Sequence, residues 1–99
     1  MVFRHVLMLT LRADVTPQER DELTDCFARM PRAMDYIRRY EFGFDLGNLA
    51  PGGPDFTLVA DFDSEADWRR YSDDPVHLEL TKVVRSVTES MVRAQYLVG

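Results

Sequence analysis

Three side chains in this sequence have the chemistry for metal-free proton transfer: His5, Tyr71 and His77. Tyr71 and His77 flank the step Asp74-Pro75. Aspartate is a preferred helix N-cap and proline suits the first helical position, so a helix is predicted to open there with His77 in its first turn. The positive end of a helix dipole disfavours imidazolium, which leaves His77 neutral and able to accept a proton. In that role His77 would be a general base, removing a proton beside a carbonyl that Tyr71 orients or polarises. An aldol or Claisen cyclisation needs nothing more, and no metal, nucleotide or redox motif is present, so no cofactor is expected. Apolar walls for such a pocket would come from Phe3, Leu7, Leu9, Phe27, Met30, Phe56, Trp68 and Leu80.

A second reading uses the same residues without chemistry. There His77 fixes the turn, Tyr71 anchors its helix to backbone, His5 is a core histidine with one satisfied nitrogen, and the pocket binds a small apolar or aromatic ligand or nothing. A metal site of His5, His77 and a carboxylate is disfavoured, because no ligand-spaced pair exists. Cys26 is the only cysteine, which rules out an intramolecular disulfide. In a helical pattern it reads as a small buried residue.

The elements that must position these groups are legible as patterns. Residues 2–11 alternate, with Phe3, His5, Leu7, Leu9 and Leu11 on one face and Val2, Arg4, Val6, Met8 and Thr10 on the other. Both faces carry apolar residues, which predicts a central strand. Thr16-Pro17-Gln18-Glu19 is a capping box. It opens a helix with Leu23, Cys26, Phe27 and Met30 inward, which Pro31 should kink or end, followed by a further helical turn to Ile37. Residues 39–47 predict a half-exposed strand with Tyr40, Phe42, Phe44 and Leu46 on one face. Residues 48–54 hold two glycines and two prolines and predict a loop. Residues 55–62 predict a third strand with Phe56, Leu58, Ala60 and Phe62 together. Ser64, with Asp67 in its first turn, then caps a short helix placing Trp68 and Tyr71 on one face. The helix opened at Asp74 is predicted to run to about Ser90, with Val76, Leu80, Val83, Val84, Val87 and Met91 as its stripe. Residues 91–98 close the chain as a fourth strand.

The order βαββαβ predicts an α+β, ferredoxin-like domain with a four-stranded antiparallel sheet in the order 4-1-3-2. Helices cover one face. The other face, with Val2, Val6, Met8 and Val59, needs a cover, and a second copy forming a dimeric α+β barrel supplies one. Ninety-nine residues make one domain over 1–99. A net charge of −5 argues against nucleic acid, and no apolar run is long enough to cross a membrane. No signal peptide is evident, so a cytoplasmic protein is expected. Lys82 is the sole lysine, a composition that fits a GC-rich bacterial genome.

The sequence resembles the stress-responsive A/B barrel domain (Dabb) family over essentially its whole length. The specific parts are His5-Val6-Leu7-Met8-Leu9, the helix start at Phe62, Ser64 and Glu65, and the series Tyr71, Pro75, His77. Gly47 and the glycine-rich loop before Asp55 agree with it. The resemblance implies a dimeric barrel. Many members have no known activity. A plant branch of polyketide cyclases is similar at His5, Tyr71 and His77, but its third-strand histidine aligns with Phe56 here. The family's Ile-Pro-Gly after the first helix is replaced by Met34-Asp35-Tyr36. Cofactor-independent monooxygenases of aromatic polyketides are a more remote likeness.

Overall fold

β1 (Val2–Leu11) is the strand around which the others assemble. The computed structural model describes residues 1–47 and 49–99; the first residue of the expected 48–54 loop lies outside the described residues. The remaining elements are α1 (Pro17–Ala33), β2 (Arg39–Phe44), β3 (Phe56–Phe62), α2 (Glu65–Asp73), α3 (Pro75–Val87) and β4 (Thr88–Val98). The strands lie in the order β2-β3-β1-β4, all neighbours antiparallel, as a ferredoxin-like plait requires. β1 and β3 are therefore central.

The alternation in β1 is realised residue by residue. Phe3, His5, Leu7, Leu9 and Leu11 are buried under the helices, and the intervening residues are partly exposed on the other face. α1 opens as predicted: the Thr16 hydroxyl accepts from Glu19 N–H, and the Glu19 carboxylate accepts from Thr16 N–H. Leu23, Cys26, Phe27 and Met30 face the sheet. Burial pushes the Cys26 thiol up from its ordinary pKa, so it stays protonated.

Four expectations need correction. Pro31 lies inside α1, which ends at Ala33, and no helical turn runs on to Ile37. Proline removes only its own N–H from the last turn; Met34 N–H still reaches the Met30 carbonyl, and Met34 then turns extended with its side chain buried. Secondly, β2 stops at Phe44, where pairing with Phe56 ends, so Leu46 is 80% exposed instead of continuing the aromatic face. Gly47 follows with φ 77°, a left-handed conformation that glycine adopts without strain. Thirdly, β3 starts at Phe56, not at residue 55. The Asp55 side chain instead accepts from Leu11 N–H, tying the loop to β1.

Fourthly, α3 ends at Val87, and Met91 belongs to β4, opposite Leu9 of β1. Thr88 is already extended, and the Val87 carbonyl accepts from Arg12 N–H. The outer face of the sheet carries Val6 and Val59 side by side, with Val92 65% and Tyr96 49% exposed beyond them. No helix among the described residues is long and apolar enough to cross a membrane.

Candidate functional site

The break between α2 and α3 is built as its sequence dictates. The Ser64 hydroxyl caps α2 by accepting from Asp67 N–H, and the Asp74 carboxylate caps α3 by accepting from Val76 N–H at 2.8 Å. Trp68 and Tyr71 share the inward face of α2, and His77 stands in the first turn of α3. The two rings that flank the break are in contact, with centroids 4.4 Å apart.

Below this break lies a cavity of about 100 Å³. Its floor is His5, Leu7 and Leu58 of the sheet; its roof is Trp68, Tyr71 and Ser72 of α2 and His77, Leu80, Thr81 and Val84 of α3. Phe27 closes one end, and Met91 and Arg93 of β4 form the wall at the sheet edge. Both of these β4 residues are exposed, so the cavity opens past that strand. His5, Tyr71 and His77 thus line one space. Of the eight expected wall residues, Leu7, Phe27, Trp68 and Leu80 line it. Phe3, Leu9, Met30 and Phe56 lie in the core instead.

Hydrogen bonds fix the protonation of each polar group. His77 Nδ1 is 3.1 Å from the Ser72 carbonyl, which can only accept, so Nδ1 carries the proton and Nε2 keeps a lone pair. The Gln95 amide donates to His5 Nδ1 at 2.8 Å, which leaves the His5 proton on Nε2. One imidazole therefore offers an acceptor and the other a donor. Burial lowers the pKa of His5 to about 4, helped by the Arg93 charge and by His77. Burial also lowers His77, against the opposing pull of the Ser72 carbonyl and the Asp74 and Asp73 carboxylates. Both rings are neutral at pH 7.

Tyr71 is 1% exposed, and its hydroxyl is 2.8 Å from the Tyr40 hydroxyl on β2. Its partner is thus a second phenol, where the non-catalytic reading expected backbone. Burial raises both phenols well above the ordinary tyrosine range, so neither ionises. The Ser72 and Thr81 hydroxyls, on two residues that line the cavity, donate to the Trp68 and His77 carbonyls, so each has only lone pairs left to offer. Among the described residues no three His, Cys, Asp or Glu side chains converge as a metal ligand set.

The sequence pattern missed Tyr40, Gln95, Arg93, Ser72 and Thr81 as site residues. Tyr40 was hidden among the aromatics of its strand. Arg93 and Gln95 follow Met91 at the two-residue period, a signal lost when Met91 is assigned to the helical stripe.

The model of the stress responsive A/B barrel domain matches residues 3–98. No curated protein matches the chain. Among solved structures, a dimeric ferredoxin-like protein of unknown function from Thermobifida fusca YX is 32% identical. That match covers 99% of this chain and 92% of the other, with a TM-score of 0.90. A dimeric protein of unknown function and ferredoxin-like fold from Bacteroides fragilis NCTC 9343 is 25% identical over 96% and 94% of the two chains, with a TM-score of 0.77. A hydroxynitrile lyase from Passiflora edulis is 19% identical over 99% and 94%, with a TM-score of 0.87, and shares the fold. With a βαββαβ plait matched across nearly its full length, the chain belongs to the stress responsive A/B barrel domain family.

Proposed function

We propose that the cavity is the active site of a cofactor-independent enzyme that moves a proton at a carbon beside a carbonyl. The observation that carries this reading is that His77, with its Nε2 lone pair left over by the Nδ1 bond to Ser72, and Tyr71 line one cavity with their rings in contact. His77 Nε2 takes the α-proton, and Nδ1–H, held by the Ser72 carbonyl, keeps the ring aimed. If Tyr40 donates to Tyr71, Tyr71 keeps its own proton for the substrate oxygen and steadies the enolate that forms. The enolate carbon then attacks a second carbonyl, and the imidazolium returns the proton to the new alkoxide, as in a cyclase-type condensation.

Size limits the substrate. A volume of about 100 Å³ is below the roughly 300 Å³ at which drug-sized pockets begin. It takes a compact reactive end, and anything longer must extend past β4. The Passiflora lyase supports the reading only in that this fold carries an enzyme there.

The test is deuterium exchange at the α-carbon of small ketones and β-keto compounds in D2O, followed by NMR. His77→Gln and Tyr71→Phe should each slow exchange about 100-fold or more with the fold intact. Unchanged exchange in both rejects the assignment. A binding role without turnover is the second reading, favoured by the hydrogen bonds that Tyr71 and His77 already make within the chain. It predicts ligand-induced shifts of the histidine ring signals and no exchange. We further propose a cytoplasmic homodimer joined through the outer sheet face. The exposed apolar strip there, the dimeric relatives and the single buried thiol support it.

A further inference from the structure

The cavity is uneven in polarity. On the helix side its polar groups are mostly acceptors, His77 Nε2 and the lone pairs of Ser72 and Thr81, with the Tyr71 phenol as the donor among them. On the sheet side they are donors: His5 Nε2–H and the Arg93 guanidinium. Among the described residues Arg93 is the only charged one lining it. Five other arginines, Arg4, Arg12, Arg38, Arg39 and Arg69, hold carboxylates in ion pairs. Among the described residues Arg93 has no such partner, and neither have Arg20, Arg29, Arg32, Arg70 and Arg85, but of these Arg93 alone lines the cavity, in a chain of net charge −5. Its neighbours across and along the sheet are Leu7, Met91 and Gln95, none of which can neutralise it. An unmatched guanidinium in an acidic protein, at the mouth of a cavity with a second donor beside it, is built to meet an anion that arrives from outside.

We propose that Arg93 makes this site selective for a small keto carboxylate, binding its carboxylate at the β4 edge while the carbonyl end enters the cavity. Guanidinium and carboxylate match as a planar fork, which fixes the orientation as well as the charge. Arg93 and His5 then hold the carboxylate at the sheet, which leaves the ketone oxygen for the Tyr71 phenol and the C–H bonds beside it facing His77 of α3. This inference rests on the cavity being the ligand site proposed above; it does not require turnover.

The probes are acetoacetate and its uncharged methyl ester, titrated into the full chain while the histidine ring signals are followed by NMR. The wild type should bind the anion about tenfold more tightly than the ester or better. Arg93→Gln should abolish that preference, and Arg93→Lys should restore part of it, since a point charge lacks the fork. Arg93 is an exposed residue of an edge strand, and unshifted core signals will report an intact fold. Equal affinity for anion and ester, a preference that survives Arg93→Gln, or binding of neither overturns the proposal. The two readings fail differently. An intact carboxylate preference with no α-deuterium exchange defeats the catalytic reading alone, whereas exchange of anion and ester at equal affinity defeats only this one.

Discussion

His5 is a buried neutral imidazole and His77 a half-buried one, and the cost of charging them is a stability statement. The pKa of His5 falls to about 4 from an ordinary 6.5. Between those values the unfolded chain binds a proton that the native chain does not, so stability rises with pH across that window. The contribution is complete above about 6.5 and lost as pH falls through about 4, with a ceiling of about 3 kcal/mol from one histidine. His77 acts in the same direction. Urea unfolding at stepped pH from 4 to 7 should show this slope, and His5→Gln should flatten it; an unchanged slope in His5→Gln refutes the account. Tyr40 gives a second prediction. Tyr40→Phe strips Tyr71 of its hydrogen-bond partner, which should cost about 1 kcal/mol in denaturant melts. In the exchange assay it should slow turnover less than Tyr71→Phe, because Tyr40 acts through Tyr71. At this scale the sequence disclosed the residues that carry unusual chemistry for their setting: a histidine in an apolar strand, and a histidine just after a helix start. It could not disclose the groups that fix their tautomers. Gln95 and the Ser72 carbonyl act only through contacts that the fold creates, 90 and 5 residues away along the chain.

Helix ends do the positioning. Asp74 stops α2, starts α3 and thereby sets the Ser72 carbonyl against His77. Asp74→Ala should cost about 1 kcal/mol and loosen the ring, visible as broadened His77 signals. Pro31 makes the opposite test. It lies in the last turn of α1 without an N–H to donate, so Pro31→Ala should raise the melting temperature, a gain of about 1 kcal/mol or more. A fall would mean that the ring packs better than its backbone cost. Starts of elements were legible because capping is local chemistry: Thr16, Ser64 and Asp74 each cap as their spacing predicts. Ends were less legible because tertiary partners decide them. β2 stops where Phe56 ceases to pair, and α3 stops where Arg12 N–H takes the Val87 carbonyl and β1 captures Thr88 as strand. A helical stripe and an alternating strand both accept Met91, so periodicity alone could not place it.

For the whole molecule, the question is what covers the outer sheet face. Val6, Val59 and Val92 lie there with Tyr96, and at one side Arg4 grips Asp61 through two bonds of 2.7 and 2.9 Å. The grip lowers the Asp61 carboxyl below its ordinary pKa, chiefly through the Arg4 hydrogen bond. A matched ion pair can enter an interface, whereas a lone charge cannot, so this face is already prepared for burial. A second copy then predicts a solution mass near twice the 11.5 kDa of the chain. Val92 is 65% exposed in one protomer, so Val92→Glu should leave the fold intact while weakening association at least about tenfold. Asp61→Asn should weaken it too, by leaving the Arg4 guanidinium unmatched where the partner would exclude water. Light scattering at graded concentrations reads both variants. A wild-type mass of one chain at micromolar concentration, or a Val92→Glu dimer as tight as the wild type, places the contact elsewhere. The cavity and its β4 opening lie on the helix side, so a Val92→Glu monomer should still bind acetoacetate, which separates assembly from recognition in a single variant.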